Sequence, residues 1–124
     1  MKDENISGTM HILAVPDLDT TARYYESVLG FTAHDVGDPG WKILQRGNMR
    51  IMAGHCPDAI APAETGDHSY FAYVHVQDAN ALALELMEKD VDWIKTLTDE
   101  PWGMREFGIR TIDGHRIMFG QQLE

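Results

Sequence analysis

Apolar residues along this chain recur in two rhythms, every second residue and every three to four, and their order predicts the elements. Residues 9–15 (TMHILAV) read as a strand that Pro16 stops, with Asp17 or Asp19 placed to cap a following helix. Leu18, Ala22, Tyr25, Val28 and Leu29 then share one helical face, and Gly30 closes the helix. Residues 31–36, 41–46 and 49–53 predict three strands, parted by Gly37-Asp38-Pro39-Gly40 and by Gly47-Asn48, both turn-forming. Residues 56–69, rich in Pro, Gly, Ala and small polar residues, read as a linker or surface loop.

The same order then returns. Residues 70–76 predict a strand, and Asp78 caps a helix whose Ala79, Leu82, Leu86 and Met87 share a face. A strand over 91–97 follows, then strands over 106–110 and 116–119 joined at Asp113-Gly114, a strong hairpin signal. Val15-Pro16-Asp17 and Val76-Gln77-Asp78 thus hold the same place in two βαβββ units. The predicted fold class is α+β: two βαβββ modules, about 8–55 and 70–121, forming a single domain over 8–121.

Composition narrows the class of partner. With 44% hydrophobic and 24% charged residues, the chain has the make-up of an ordinary globular protein. No apolar run approaches the roughly 20 residues of a membrane span, and the charged N-terminus lacks the apolar core of a secretory signal. The single cysteine, Cys56, excludes an internal disulfide and points to a reducing cytoplasm. Leu123-Glu124 has the form of a cloning remnant and carries no weight. A net charge of −10 argues against a nucleic-acid surface and predicts a preference for a cationic small ligand. The plainer reading is that the acidity only keeps the protein dissolved.

Two stretches carry a family resemblance. Residues 101–121, PWGMREFGIRTIDGHRIMFGQ, resemble the closing hairpin of the glyoxalase/bleomycin-resistance/extradiol-dioxygenase group, the vicinal oxygen chelate superfamily. Arg105-Glu106-Phe107, Asp113-Gly114 and Phe119-Gly120 match its pattern, while Thr111, Ile112 and His115 replace the usual Asp, Pro and Asn. Residues 15–31, VPDLDTTARYYESVLGF, resemble its opening signature. The resemblance implies glyoxalase-like sheets curling around a concave cavity with the helices outside. It also implies four inward strand positions that hold His, Gln or Glu in members with metal chemistry. Here they fall on Met10, Met52, Phe71 and Met118. A thioether is a poor ligand for borderline or hard divalent ions, so no metal and no cofactor is expected.

What remains resembles the metal-free, bleomycin-resistance-like branch. That implies a homodimer that binds a small molecule, cationic or aromatic, by sequestration, with antibiotic resistance as the family example. Two other functions stay open: a lyase, isomerase or dioxygenase whose ligands are aligned elsewhere, and a metabolite-sensing module. Strand alternation turns Ile12 and Ala14 inward with Met10, Tyr73 and His75 inward with Phe71, Arg50 with Met52, and Arg116 with Met118. Trp41 and Trp102 flank turns at the cavity mouth, and Met104 opens the closing stretch. The expected ligand-binding set is therefore Met10, Ile12, Trp41, Arg50, Met52, Phe71, Tyr73, Trp102, Met104 and Met118. The competing reading makes these ordinary core residues.

No catalytic residue is assigned. Glu106 is either a base of raised pKa or half of an ion pair with Arg105, Arg110 or Arg50. His11 is one residue out of register with Met10. His34, His55, His68 and His115 sit in or near turns, without the paired short spacing of a zinc site. Cys56 beside His55 in a loop is weak grounds for a nucleophile.

Overall fold

The computed structural model describes residue 5 and residues 7–65 and 70–124. Its elements run β1 (His11–Val15), α1 (Leu18–Ser27), β2 (Thr32–Asp35), β3 (Trp41–Arg46) and β4 (Met49–His55). After a 3-10 turn at Pro62–Thr65 come β5 (Tyr70–His75), α2 (Ala79–Met87), β6 (Asp92–Asp99), β7 (Met104–Arg110) and β8 (Arg116–Gln122). Residues 66–69 of the 56–69 loop, including His68, lie outside the described residues. No described helix is long and apolar enough to cross a membrane.

Capping follows the expected chemistry. The Asp17 carboxylate accepts from the Thr20 amide at the start of α1, and that of Asp78 accepts from the Ala81 amide at the start of α2. Leu18, Ala22, Tyr25 and Leu29 are buried. In α2 the buried stripe is Ala79, Ala83 and Leu86, and Met87, expected on that face, is 65% exposed. At about 100° per residue Met87 falls at the edge of the stripe, where β6 does not reach far enough to cover it.

Two four-stranded sheets result, ordered β1-β4-β3-β2 and β5-β8-β7-β6. In each, the first strand pairs parallel with the last and the others pair antiparallel. This is an α+β architecture of two mixed sheets with two helices. Leu13, Val15, Leu44 and Ile51 of the first sheet and Phe107, Ile109 and Ile117 of the second belong to one continuous buried cluster. The alternate residues of every strand form a second face that no helix covers.

A repeat sits on the central strands. Arg50-Ile51-Met52-Ala53-Gly54 in β4 and Arg116-Ile117-Met118-Phe119-Gly120 in β8 occupy equivalent registers. Ile12 pairs Met52 as Tyr73 pairs Met118, and Trp41 pairs Gly54 as Glu106 pairs Gly120. Each repeat puts its Ile into the core and its Arg, Met and Gly on the open face.

The halves hold one another reciprocally. Arg46, at the end of β3, forms a two-pronged pair with Glu85 of α2, with nitrogen–oxygen distances of 2.7 and 2.9 Å. It also donates to the Leu29 carbonyl beyond α1 at 2.7 Å. In return Asp113, in the β7–β8 turn, accepts from the Thr21 hydroxyl of α1 at 2.6 Å. Each hairpin thus grips the helix of the other half.

Candidate functional site

The expected residues divide between the two open faces. On the second sheet, Phe71, Tyr73, Trp102 and Met118 line one recess of about 480 Å³ together with Tyr70, Ala72 and Glu106. Met104 starts β7 with the parity of Glu106 but does not line the recess. On the first sheet, Ile12, Arg50 and Met52 share the open face by alternation, and Trp41 lies over Gly54. Met10 is half-buried one residue before β1 begins, outside the strand pairing that its assignment assumed. A larger concavity, about 650 Å³, is elsewhere: an apolar groove between α2 and β6 lined by Leu84, Met87, Trp93 and Leu97. It gathers none of the expected residues.

Two glycines determine how the aromatic rings lie. A Cβ on Gly54 would stand 2.8 Å from the Trp41 indole, so only glycine lets that ring rest on the strand. A Cβ on Gly120 would collide with the Tyr73 phenol. Tyr73 therefore crosses β8 flat over Gly120 and reaches Glu106 on β7.

That reach builds the polar centre of the recess. The Tyr73 hydroxyl donates to Glu106 Oε2 at 2.6 Å, and Lys95 Nζ donates to Oε1 at 2.7 Å. Lys95 also stands 3.5 Å from Glu100 and 5.6 Å from the centre of the Trp102 ring, a cation–π distance. Burial pushes the Glu106 carboxyl up, but the bonds from Lys95 and Tyr73 outweigh it and hold the group below its usual range. Around Tyr73, lost hydration and then the bond to Glu106 push the phenol up to about 12. Burial acts to lower the Lys95 ammonium, and its carboxylate partners more than offset that and raise it. At neutral pH the set is an ionised acid, a protonated amine and a protonated phenol. Glu106 is no base of raised pKa.

The ion-pair reading of Glu106 is therefore the one observed, with a different partner. Arg105 points to the opposite face and binds Asp99, and Arg110 binds Asp92. Arg50 belongs to the other sheet. Lys95 takes the place because register shifts in β6 set it against Gly108, diagonal to Glu106. Those irregularities leave no trace in the apolar pattern, so Lys95 went unread. Phe71 is likewise affected by an irregularity between Tyr70 and Ala72. Its half-buried ring meets His11 and His115 edge-on, with centroids at 5.6 and 5.8 Å.

The sequence model of the Glyoxalase/Bleomycin resistance protein/Dioxygenase superfamily matches residues 8–119. The chain belongs to this superfamily. No curated protein sequence matches this superfamily member closely enough to count as a relative. Among solved structures it is similar to TioX from Micromonospora sp. ML1, at 23% identity and a TM-score of 0.77, over 95% of this chain and 100% of that one. A bleomycin resistance determinant encoded on the transposon Tn5 is 22% identical, with a TM-score of 0.76 over 94% and 98% of the two chains. The bleomycin-binding protein from bleomycin-producing Streptomyces verticillus, solved with copper(II)-bleomycin, is 23% identical. Its TM-score is 0.70, over 92% and 94%. At these identities the likeness is one of fold.

The four positions at which the resemblance implied metal ligands hold Met10, Met52, Phe71 and Met118. Three thioethers and a phenyl ring do not fit a divalent metal of that chemistry. Among the described residues, no three His, Cys, Asp or Glu side chains gather into a group that would hold one.

Proposed function

We propose that this superfamily member sequesters a small planar aromatic molecule against the open faces of its sheets, without a metal and without transforming it. One observation carries the reading: the 480 Å³ recess is walled by Tyr70, Phe71, Tyr73, Trp102 and Met118, and its one buried acid is already neutralised. Rings and a polarizable thioether bind flat apolar ligands, and a carboxylate fixed as an ion pair has no proton-accepting role left to play. Met10, Ile12, Trp41, Arg50, Met52 and Met104 complete the ligand surface in this reading.

The functional unit in this proposal spans residues 8–121, with modules at 8–55 and 70–121. It acts as a cytoplasmic homodimer in which pairing covers the exposed rings of the open faces. Drug sequestration of the bleomycin-resistance kind is the family precedent. The test is a calorimetric titration of neutral aromatic compounds into the purified protein, with elemental analysis of the same sample. Binding that weakens about tenfold in Trp102→Ala, with the fold intact and metal well below one per chain, is the expected result. Binding that is indifferent to Trp102→Ala, or a stoichiometric divalent metal, would count against the proposal.

A further inference from the structure

We infer that the open face of the first sheet, apart from the recess on the second, takes a ligand with a negative charge, which Arg50 receives. The inference rests on the sequestration reading and adds the chemical class of the ligand.

The chain is strongly acidic, yet its charges are partitioned by the sheets. Asp17, Asp19 and Glu26 cluster on and around α1, and Asp78, Glu85 and Glu88 on and around α2. On the strands, alternation turns Arg50, Lys95, Arg110 and Arg116 to the helix-free faces, against Asp92 and Glu106. Both of those acids are engaged, Asp92 by Arg110 at 3.2 Å and Glu106 by Lys95 at 2.7 Å. Among the described strand residues of these two faces, a cationic ligand finds no carboxylate without a partner, while an anionic one finds a cation.

Arg50 is that cation. It is exposed, and among the described residues it has neither a carboxylate nor a hydrogen-bond partner. It shares the strand face with Met52, two residues on, and with Gly54, four residues on, where the Trp41 indole rests. At about 3.3 Å per residue, roughly 13 Å of strand carries a ring platform at one end and a guanidinium at the other. That arrangement matches a flat aromatic acid. Local charge outweighs net charge in this setting. Asp19, Asp35 and Asp38 line a recess that also includes Trp41, with Asp35 held by Lys42 at 2.6 Å and Asp38 by the Gly40 amide at 2.8 Å, and salt screens exposed charges over about 8 Å at physiological strength.

Three ring-matched probes test the inference by calorimetry on the full chain: naphthoate, naphthamide and naphthylmethylammonium. Naphthoate is expected to bind about tenfold tighter than naphthamide, the size of one charge-assisted contact, and to weaken with added salt. Arg50→Gln should erase that preference by weakening naphthoate more than the amide, and Arg50→Lys should restore part of it. Arg50 is exposed and buries nothing, so both variants should keep the wild-type melting profile. A preference that survives Arg50→Gln, or tightest binding by the ammonium, overturns the inference. If the amide and ammonium bind and the acid does not, sequestration stands and the charge assignment falls. If none of the three binds, both fall.

Discussion

A carboxylate at a few per cent exposure stays ionised only while its partners hold it so, and Glu106 depends on Lys95 for this. Lys95→Met should cost about 2 kcal/mol at neutral pH, since it leaves a buried charge with only the Tyr73 bond. The sign of the pH dependence follows from the lowered pKa of Glu106. The pair stabilises the fold fully above the usual carboxylate pKa of 4.5, and that contribution is lost as pH falls through the lower folded value. Urea midpoints across acid and neutral pH should therefore show a wild-type-to-variant gap that is widest near neutrality and closes in acid. A gap independent of pH would mean that Lys95 acts by packing alone. Glu106 was legible in the sequence as a strand carboxylate with two possible roles. Its partner was not, because a side chain on a neighbouring irregular strand cannot be located by counting along its own.

The elements were legible nearly throughout, since two periods of alternation and two Asp caps mark them. Their ends were not. β4 and β8 run on past the predicted residues to His55 and Gln122, through Gly54 and Gly120, on which the rings of Trp41 and Tyr73 rest. The repeated Arg-Ile-Met-x-Gly was present in the sequence and would have matched β4 to β8 without any loop alignment. The β7–β8 hairpin carries a prediction of its own. Burial raises the Asp113 carboxyl, although the bond from Thr21 opposes it. A raised pKa gives stability that is full below the unfolded value and lost as pH rises through the folded one. Asp113→Asn keeps an acceptor for Thr21 and a turn-forming Asn-Gly pair, so its thermal midpoint should exceed wild type at neutral pH and not in acid. A lower midpoint at neutral pH would show that the charge itself holds α1.

Over the whole molecule, net charge by itself does not say which charges a ligand on one face would meet. A total of −10 suggested a cationic ligand, but the sheets divide the charge, and no sum over the sequence records which side of a strand each residue takes. The fold class could be read from element order because duplication repeats it. The pairing of Tyr73 with Met118 could be read from parity because side chains alternate strictly wherever a strand is regular, and Trp102 from its place beside a turn. The uncovered rings bear on assembly: Trp102 is 62% and Ile12 69% exposed. Sedimentation at micromolar concentration should give a dimer, and Ile12→Lys should shift it toward monomer by placing a charge where two copies meet. A monomer in the wild type would leave each open face to a ligand alone. The reciprocal grip of hairpin on helix reaches further still. Thr21 answers to Asp113 at a separation of 92 positions, and Arg46 to Glu85 at 39. Two like units joined in this way are not separable parts: a substitution at residue 21 or 46 strips a partner from the opposite unit, so neither half would keep its helix seated if expressed alone.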